Sequence, residues 1–369
     1  MNILVINWQD RKNPNAGGAE VHLHEIFGRI ASWGHKVTLL ASGFPGAKKN
    51  EVLDGIRVIR KGGRSDFNFY VPFGAKEIVR REKPDIIVED LNKIPFFSRL
   101  YMKIPVVAIL LHRFGKSIFT ETIFPFAMYV YIAESMVPIV YRNIPFDVIS
   151  ESTRDDLVSS GISPENISLH YCGIDRKVYK PDSRTGKKYS ITFVGRIKRY
   201  KSIDHLLYAV SKIRDSFPHI KVAIVGDGDD LERLKGIALK LKIEGCIDFT
   251  GFVSQEEKVR ILQESEIVVN TSLREGWGLT VIESNACGAP VIAADSPGLK
   301  DSVKNGYSGL LYPYGNIEAL ASSVMRLLRD RDLLAKMQHN AVGWSGGFDW
   351  DKAAEGLLGI LKKSIRHEI

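Results

Sequence analysis

Short apolar runs alternate with amphipathic segments along the chain, and this alternation most constrains the fold. The runs are nearly continuous, which is typical of parallel strands covered on both faces. They stand at 2–7, 37–40, 56–59, 84–88, 105–110 and 146–150, and again at 190–194, 221–225, 247–249, 267–269 and 290–293. Strands that alternate with helices predict an α/β fold with doubly wound, Rossmann-like parallel sheets.

A polar segment divides the predicted strands into two series. Residues 176–188 contain proline, glycine and paired lysines but almost no apolar side chains, so we interpret them as a linker. The chain has 369 residues, enough for two domains of ~100–200 residues each. The predicted domains are 1–178 and 179–350. A final helix is expected from about Asp351, and its periodicity does not indicate which domain it packs on.

The chain is basic, with a formal net charge of +8 and a pI of about 9.2. Seven basic residues and only two acidic ones fall between Arg57 and Arg81. This segment has two open interpretations, a solvated face, which is the commoner case, and a surface for an anionic membrane. No stacking platform or recognition motif accompanies the basic residues, so a nucleic-acid partner is not expected.

The cysteine content and the hydropathy of the chain indicate its cellular compartment. The three cysteines form no CxxC pair and no metal-ligand spacing, which is typical of a cytoplasmic protein with reduced thiols. The first apolar run begins at residue 2, so we expect no signal peptide. The nearest approach to a membrane span, 118–141, is interrupted by acids and prolines. We expect a cytoplasmic protein, with peripheral contact at the inner face of the membrane left open.

Two glutamates separated by seven residues mark the most informative candidate site. Glu275 and Glu283 bound a glycine-containing segment between the apolar run 267–269 and a helical pattern. A helix that starts there presents backbone N–H groups, which bind anions. Glu283 falls about two turns into that helix. Carboxylates around an anion site suit a nucleotide sugar, in which a diphosphate joins two polyols, although a capped helix with two solvated acids is the simpler alternative.

Other candidates follow strands of the first series. Gly17 and Gly18 let the backbone approach an anion closely, but a flexible loop explains them too. The GxGxxG fingerprint is absent, which argues against a dinucleotide oxidoreductase. His112 follows the run 105–110 and can contact a sugar hydroxyl, whereas a structural histidine is equally expected.

A basic turn follows the first strand of the second series. Arg196 offers a fork of donors to phosphate, and Lys201 offers a point charge. Together they can neutralise a leaving diphosphate, although four basic residues between 196 and 201 also fit a solvated turn. Asp227 and Asp229 resemble the metal-binding DxD of some sugar transferases. We interpret them instead as part of a turn with Asp230 as the N-cap of the next helix, so no metal is expected.

These stretches together resemble the retaining family-4 (group 1) glycosyltransferases, which have the GT-B fold. The resemblance covers nearly the whole chain and is more specific in its second half. It rests on Glu275–Glu283, on Gly195-Arg196 with Lys201, and on Gly17-Gly18-Ala19-Glu20. Further matching stretches are 171–175, where Cys172 stands in place of the usual asparagine, 251–253 and 348–350.

The resemblance implies an architecture and a role for each candidate residue. The GT-B fold has two Rossmann-like domains facing across a cleft, with helix 351–369 packing back on the acceptor-side N-terminal domain. Catalytic roles are implied for Arg196, Lys201, Glu275 and His112: the two cations stabilise the leaving diphosphate, and the others contact the transferred sugar. The other implied donor-binding residues are Gly17, Gly18, Phe252, Val253, Gly276, Gly278, Leu279, Thr280 and Glu283.

The expected activity follows from the same resemblance. It is metal-independent, retaining transfer of a hexosyl unit from a nucleotide-diphosphate sugar to a glycan, lipid or other hydroxyl acceptor, in the synthesis of cell-envelope glycans. No cofactor is expected beyond the donor substrate. Two alternatives remain open at this stage: a non-catalytic sugar-nucleotide binding protein of two domains, and a nucleotide-sugar epimerase or phosphorylase of the same fold.

Overall fold

The computed structural model describes residues 1–92, 94–182 and 184–366. Its internal contacts divide the chain into two units, Met1–Gly173 together with the residues from Asp349 onward, and Ile174–Phe348. Each unit is built on a mostly parallel sheet with helical connections, so the predicted fold class, α/β GT-B with two Rossmann-like units, is confirmed. The described residues of the predicted linker 176–188 form neither helix nor strand.

The first unit contains an eight-stranded sheet in the order β3-β4-β2-β1-β5-β6-β7-β8. Only β3 runs antiparallel, against β4. The strands are β1 (Asn2–Ile6), β2 (Lys36–Ala41), β3 (Asn50–Leu53), β4 (Ile56–Arg60), β5 (Ile86–Asp90), β6 (Val106–Leu110), β7 (Phe146–Val148) and β8 (Ile167–Leu169). The central strands β1, β5 and β6 are almost wholly buried, which explains their apolar runs, although β5 ends in two buried acids, Glu89 and Asp90.

Helices flank this sheet. They are α1 (Gly18–Ser32), α2 (Phe67–Glu82), α3 (Phe124–Ser135), α4 (Val137–Val140), α5 (Glu151–Ser159) and α13 (Trp350–Arg366). Helix α13 packs against α1, where Arg29 Nε donates to Asp351 Oδ1 at 2.6 Å. The predicted helix 351–369 thus begins one residue earlier, and its positions 367–369 lie outside the described residues. One core cluster on the sheet joins Leu4, Phe67 and Phe146.

The second unit contains a six-stranded sheet in the order β11-β10-β9-β12-β13-β14, with every pairing parallel. Its strands are β9 (Tyr189–Val194), β10 (Val222–Val225), β11 (Ile247–Gly251), β12 (Ser265–Asn270), β13 (Val291–Asp295) and β14 (Gly309–Pro313). The order reverses beside β9, so the chain crosses to β12 on its other side. Such a reversal places the loops after β9 and β12 next to each other at the carboxyl edge.

Helices α6 (Ile203–Ile213), α7 (Leu231–Lys240), α8 (Gln255–Gln263), α9 (Leu279–Ala286), α10 (Leu299–Ser302), α11 (Ile317–Arg329) and α12 (Arg331–Ser345) complete the second unit. Amphipathic helices pack through their apolar face. In α11, for example, the buried side chains include Leu320, Val324 and Leu327, which lie at helical spacing on one face. Within the described part of the chain, no helix is both long and apolar enough to cross a membrane.

Candidate functional site

The predicted diphosphate-binding lysine lies in a rigid turn at the carboxyl edge of the second sheet. After β9, the chain forms a 3₁₀ turn, Arg199–Lys201. The loop after β12 holds this turn through two hydrogen bonds: Thr271 Oγ1 donates to the Lys201 carbonyl at 2.7 Å, and Leu273 N–H donates to the Tyr200 carbonyl at 2.9 Å. The loops that follow β9 and β12 are therefore joined, as the strand order requires.

Lys201 and Glu275 form an ion pair at this edge. The ammonium of Lys201 donates to Glu275 Oε1, and the two side chains are only 13% and 15% exposed. The ammonium also lies 5.0 Å from the centre of the Tyr200 ring. Burial lowers the pKa of Lys201, but the charge of Glu275 and the contacts with Tyr200 together outweigh burial, and the pKa is raised. Lys201 is therefore held in its charged form, as a phosphate ligand must be.

The segment that carries Glu275 is fixed by close backbone packing. Glu275 N–H donates to the Pro297 carbonyl at 3.0 Å. Trp277 is buried, and its ring lies 5.2 Å from that of Phe348. Gly298 has a φ of +82°, and a Cβ placed there would lie 2.3 Å from the Glu275 carbonyl oxygen. The position of Glu275 thus depends on a glycine twenty-three residues further along the chain.

This close approach gives a testable prediction. We expect Gly298→Ala to lower the free energy of unfolding by more than about 3 kcal/mol, because both the left-handed conformation and the clash oppose a side chain. Gly315→Ala is the matched control, since Gly315 has a φ of +81° but no atom within 4 Å of its virtual Cβ. It should cost only about 1–2 kcal/mol. Equal losses in urea denaturation would show that the contact with Glu275 is unimportant.

Glu283 lies in helix α9 and pairs with a lysine that the sequence reasoning did not identify. Lys258 of α8 donates to Glu283 Oε1 at 2.9 Å and lies 5.0 Å from the centre of the Tyr179 ring. Glu283 Oε2 is buried without a close hydrogen-bond partner among the described residues, although the Tyr179 hydroxyl lies near the same carboxylate, whose charge adds to the effect of burial in raising the pKa of Tyr179. A buried carboxylate oxygen without a donor is destabilised. A ligand hydroxyl that donates a hydrogen bond to it would therefore bind favourably.

Helix α9 begins in the predicted segment but later than expected: Glu283 is its fifth residue, about one turn into the helix and not two, because the glycine-containing loop extends to Gly278. Gly278 is its N-cap with a φ of +88°, a conformation that glycine adopts without steric cost. Leu279 and Thr280 form the first turn, whose N–H groups have no carbonyl of the same helix within reach. The partial positive charge of the helix terminus therefore lies between Glu275 in the preceding loop and Glu283 in the helix. A helix N-terminus thus lies between two carboxylates, and its role in binding an anion remains a prediction.

Arg196 is exposed and lies within electrostatic reach of the same cluster. Burial raises the pKa of Tyr200, the charge of Glu275 adds to this effect, and the charges of Lys201 and Arg196 oppose it. Phe252 and Val253 follow β11, the strand at one edge of the sheet, and the Phe252 side chain is 88% exposed. An aromatic ring so exposed is available for stacking.

The aspartates after β10 form hydrogen bonds and ion pairs with other residues of the chain. Asp227 Oδ1 accepts the Gly228 N–H at 2.7 Å, and Asp229 pairs with Lys198. Asp230 occupies the N-cap position of α7, as predicted, but its side chain makes no capping hydrogen bond. It instead accepts two 2.6 Å hydrogen bonds from Arg233, so the predicted capping role is wrong because the guanidinium takes both carboxylate oxygens.

The candidates of the first unit lie on different elements of that unit. Gly17 is the N-cap of α1 and Gly18 its first residue; Glu20 Oε2 accepts the Gly17 N–H at 2.6 Å. His112 follows β6, is partly buried, and has its ring 5.0 Å from that of Phe114. The roles assigned to these residues remain predictions. Across residues 1–92, 94–182 and 184–366, no cluster of three or more His, Cys, Asp or Glu side chains is arranged to hold a metal ion.

Comparison with known protein families identifies the class. Residues 175–344 match the family described as glycosyl transferases group 1, and residues 16–178 match glycosyltransferase family 4. The two matches together span most of the chain. The chain belongs to the group 1, family-4 glycosyltransferases, a family of enzymes, and the predicted recognition is confirmed.

Relatives and solved structures agree with this assignment. A D-inositol 3-phosphate glycosyltransferase of Streptomyces bingchenggensis is 32% identical over 237 residues, 59% of this chain and 52% of that protein. One from Corynebacterium jeikeium is 35% identical over 174 residues, 45% and 42% of the two chains. The chain thus spans about half the length of these curated relatives.

The solved structures show the same fold. Sucrose-phosphate synthase from Thermosynechococcus elongatus superposes with a TM-score of 0.84 at 20% identity, covering 100% of both chains. HepE from Anabaena, solved with UDP-glucose, gives a TM-score of 0.80 at 19% identity and covers 98% of this chain and 100% of that one.

Proposed function

We propose that the protein transfers a hexosyl unit from a nucleotide-diphosphate sugar to a hydroxyl acceptor, a glycan or a lipid, with retention of configuration and without a divalent metal. The observation that carries the proposal is the charge arrangement of the second unit. Two lysine–glutamate pairs, Lys201–Glu275 and Lys258–Glu283, flank the N-terminus of α9. This set offers cations to a diphosphate and carboxylates to the hydroxyls on either side of it.

The proposed roles follow from the donor capacity of each group. An ammonium has three N–H bonds, and Lys201 uses one on Glu275 and can direct another at a phosphate oxygen. Glu275 then accepts from hydroxyls of the transferred sugar. Glu283 Oε2, which has no close partner, is proposed to accept a hydrogen bond from a ribose hydroxyl. That HepE binds UDP-glucose supports a donor of this class for a chain with the same fold.

The demanding step is departure of the diphosphate. Cleavage of the glycosyl–phosphate bond leaves negative charge on the phosphate and oxocarbenium character on the sugar. Arg196, Lys201 and the N–H groups of Leu279 and Thr280 are proposed to stabilise that charge, which preorganised donors do without reorganisation. Gly17, Gly18 and His112 are proposed to complete the donor site from the first unit. We propose that the leaving phosphate accepts the acceptor's proton as the new bond forms on the same face.

A direct test is a panel of donors. The protein should release nucleoside diphosphate from one nucleotide sugar in the presence of an acceptor, and the product anomer should match the donor anomer. Binding of a nucleotide sugar without any release would instead indicate a non-catalytic binding protein. An inverted product would refute retention alone, since the class of reaction would still hold.

Metal independence is a separate prediction. Turnover in excess EDTA should remain within about twofold of that in Mg²⁺, because fixed cations can take the charge-stabilising role that Mg²⁺ has in other enzymes. The measurement is initial rate against donor concentration in both buffers. Loss of activity in EDTA that Mg²⁺ restores would assign a metal role, with Asp227 and Asp229 as the first residues to test.

We also propose that the first unit docks on an anionic membrane, which places the reaction at its cytoplasmic face and in the synthesis of cell-envelope glycans. Exposed apolar side chains cover α2 and α3: Phe69, Phe73, Phe124, Phe126, Tyr129 and Ile132. Asn68 Nδ2 donates to the Tyr129 hydroxyl at 3.0 Å, so the two helices adjoin. Lys76 and Arg80 of α2 are exposed as well, which complements anionic lipid.

Flotation with phosphatidylglycerol vesicles tests this surface. Phe73→Ser combined with Phe126→Ser should reduce bound protein at least tenfold, since each buried phenylalanine contributes ~1.5–3 kcal/mol. The control combines Val52→Ser with Leu239→Ser, which removes apolar side chains of similar exposure elsewhere. Equal recovery of both variants would reject the proposed surface.

A further inference from the structure

A basic cavity extends along β4 and α2 to the carboxyl edge of the first unit's sheet. Its volume is about 990 Å³. Gly43 and Phe44 line it just after β2, Lys61 and Arg64 just after β4, and Asn13 in the loop after β1. Open parallel sheets bind their ligands at this edge. The cavity therefore has the location of a ligand site, and all of its lining residues belong to the first unit.

The cavity is strongly cationic. Two carboxylates line it, Glu77 and Glu82. The positively charged side chains in the lining are Lys49, Arg57, Arg60, Lys61, Arg64 and Arg81. A concave surface with this excess of one sign concentrates ligands of the opposite charge.

Several of these cations pair with neighbouring carboxylates and are part of the ordered cavity wall. Arg60 is buried, and its guanidinium donates to both oxygens of Asp10, at 2.6 and 2.7 Å, and to Glu51 at 2.6 Å. Arg57 donates to Glu82 at 2.6 Å. A buried guanidinium with all these partners orders the walls of the cavity and is not available to a ligand.

Two cations differ from the rest. Lys49 and Arg64 are exposed, and in the part of the chain that the structure describes neither has a carboxylate within ion-pair distance. Their backbones are nevertheless fixed. The Lys49 carbonyl accepts the Arg60 N–H at 2.8 Å, and the turn before Arg64 is closed by the Gly63 N–H, which donates to Asp66 Oδ1 at 2.5 Å. Unpaired cations on an ordered cavity wall are suited to an anionic ligand.

We propose that this cavity binds a phosphate monoester, with Lys49 and Arg64 as its principal ligands, and that in the proposed transfer this phosphate belongs to the acceptor. The arginine fork matches two phosphate oxygens and the lysine adds a point charge. The assignment of the phosphate to the acceptor rests on the proposed function; binding of the phosphate does not.

The test uses glycerol 3-phosphate as the probe, in isothermal titration of the full chain. Lys49→Gln combined with Arg64→Gln should weaken binding roughly tenfold to a hundredfold, as expected for the loss of charge-assisted hydrogen bonds. The control combines Lys103→Gln with Arg99→Gln, two exposed cations of the same unit that do not line the cavity. The control should bind within about twofold of the original chain, because distant exposed charges are screened.

Two further measurements are needed. One distinguishes a soluble phosphate from a lipid phosphate, and the other distinguishes failure of the cavity proposal from failure of the proposed donor. Binding of soluble glycerol 3-phosphate supports a small phosphorylated acceptor. Binding only to phosphatidylcholine vesicles that contain phosphatidic acid, lost in the Lys49/Arg64 variant alone, supports a lipid phosphate. No binding in either arm, equal weakening in both double variants, or a loss in Arg196→Ala instead would overturn the inference. UDP-glucose is titrated in parallel: its failure to bind while glycerol 3-phosphate binds would count against that donor and not against the cavity.

Discussion

Replacing Arg196 by alanine should reduce kcat by about two orders of magnitude, the usual effect of removing one preorganised donor to a developing anion. The expected loss is in kcat more than in KM, because the charge on the diphosphate is larger in the transition state than in the bound donor. Arg196 is exposed, so thermal unfolding should change little. Steady-state kinetics with the best donor from the panel provide the measurement.

Arg199→Ala is the matched control for this substitution. Arg199 belongs to the same basic run, and its side chain is 62% exposed, with Asp230 at 3.7 Å as its ion-pair partner. Removing it should alter kcat by less than about threefold. If the Arg196 and Arg199 variants lose activity equally, the effect comes from the general charge of the turn, and the specific role of Arg196 is wrong.

The second large effect is expected at Lys201. We expect Lys201→Met to abolish measurable turnover and to lower the free energy of unfolding by about 2–4 kcal/mol. The stability loss follows because the substitution leaves the largely buried Glu275 carboxylate without its counter-ion. The Lys201→Met, Glu275→Gln double variant should recover part of this stability but none of the activity, since an uncharged amide then replaces the carboxylate while the phosphate ligand is still missing.

Lys198→Met gives the comparison. Lys198 also pairs with an acid, Asp229, but those side chains are 34% and 68% exposed, so its loss should cost less than about 1 kcal/mol. Urea denaturation of the original chain, Lys201→Met, Glu275→Gln and the double variant measures the coupling energy between Lys201 and Glu275. Additive stability effects would mean that the pair does not act as a unit.

The sequence predicted the parts of the fold that follow from local pattern. Buried parallel strands such as Val106–Leu110 have continuous apolar runs, and the turn to α9 has a glycine, Gly278, where a left-handed conformation is needed. The strands β3, β8 and β14 were not predicted from the sequence. Residues Asn50–Leu53 show why, since this edge strand is half-exposed, short and antiparallel, and carries no apolar run.

The site was predictable only in its residue types. Glu275 and Glu283 could be found from their spacing around a helix start. Their ion pairs could not, because Lys201 and Lys258 lie 74 and 25 residues away and contact them only through the sheet order; Lys201 was predicted as a site residue, but not as the partner of Glu275. Asp230 is an example of a wrong prediction from residue type: aspartate favours the N-cap position, but its carboxylate pairs with Arg233, three residues further on, and does not cap the helix. The basic cavity likewise depends on three loops that the strand order brings together.

The most direct test of the account is a crystal structure with an intact donor sugar nucleotide. The account predicts that Arg196 and Lys201 both place a nitrogen within about 3.2 Å of a diphosphate oxygen. It also predicts that Glu275 accepts a hydrogen bond from the sugar. A bound donor whose phosphates lie far from both cations, with Lys201 still engaged only by Glu275, would contradict the central claim.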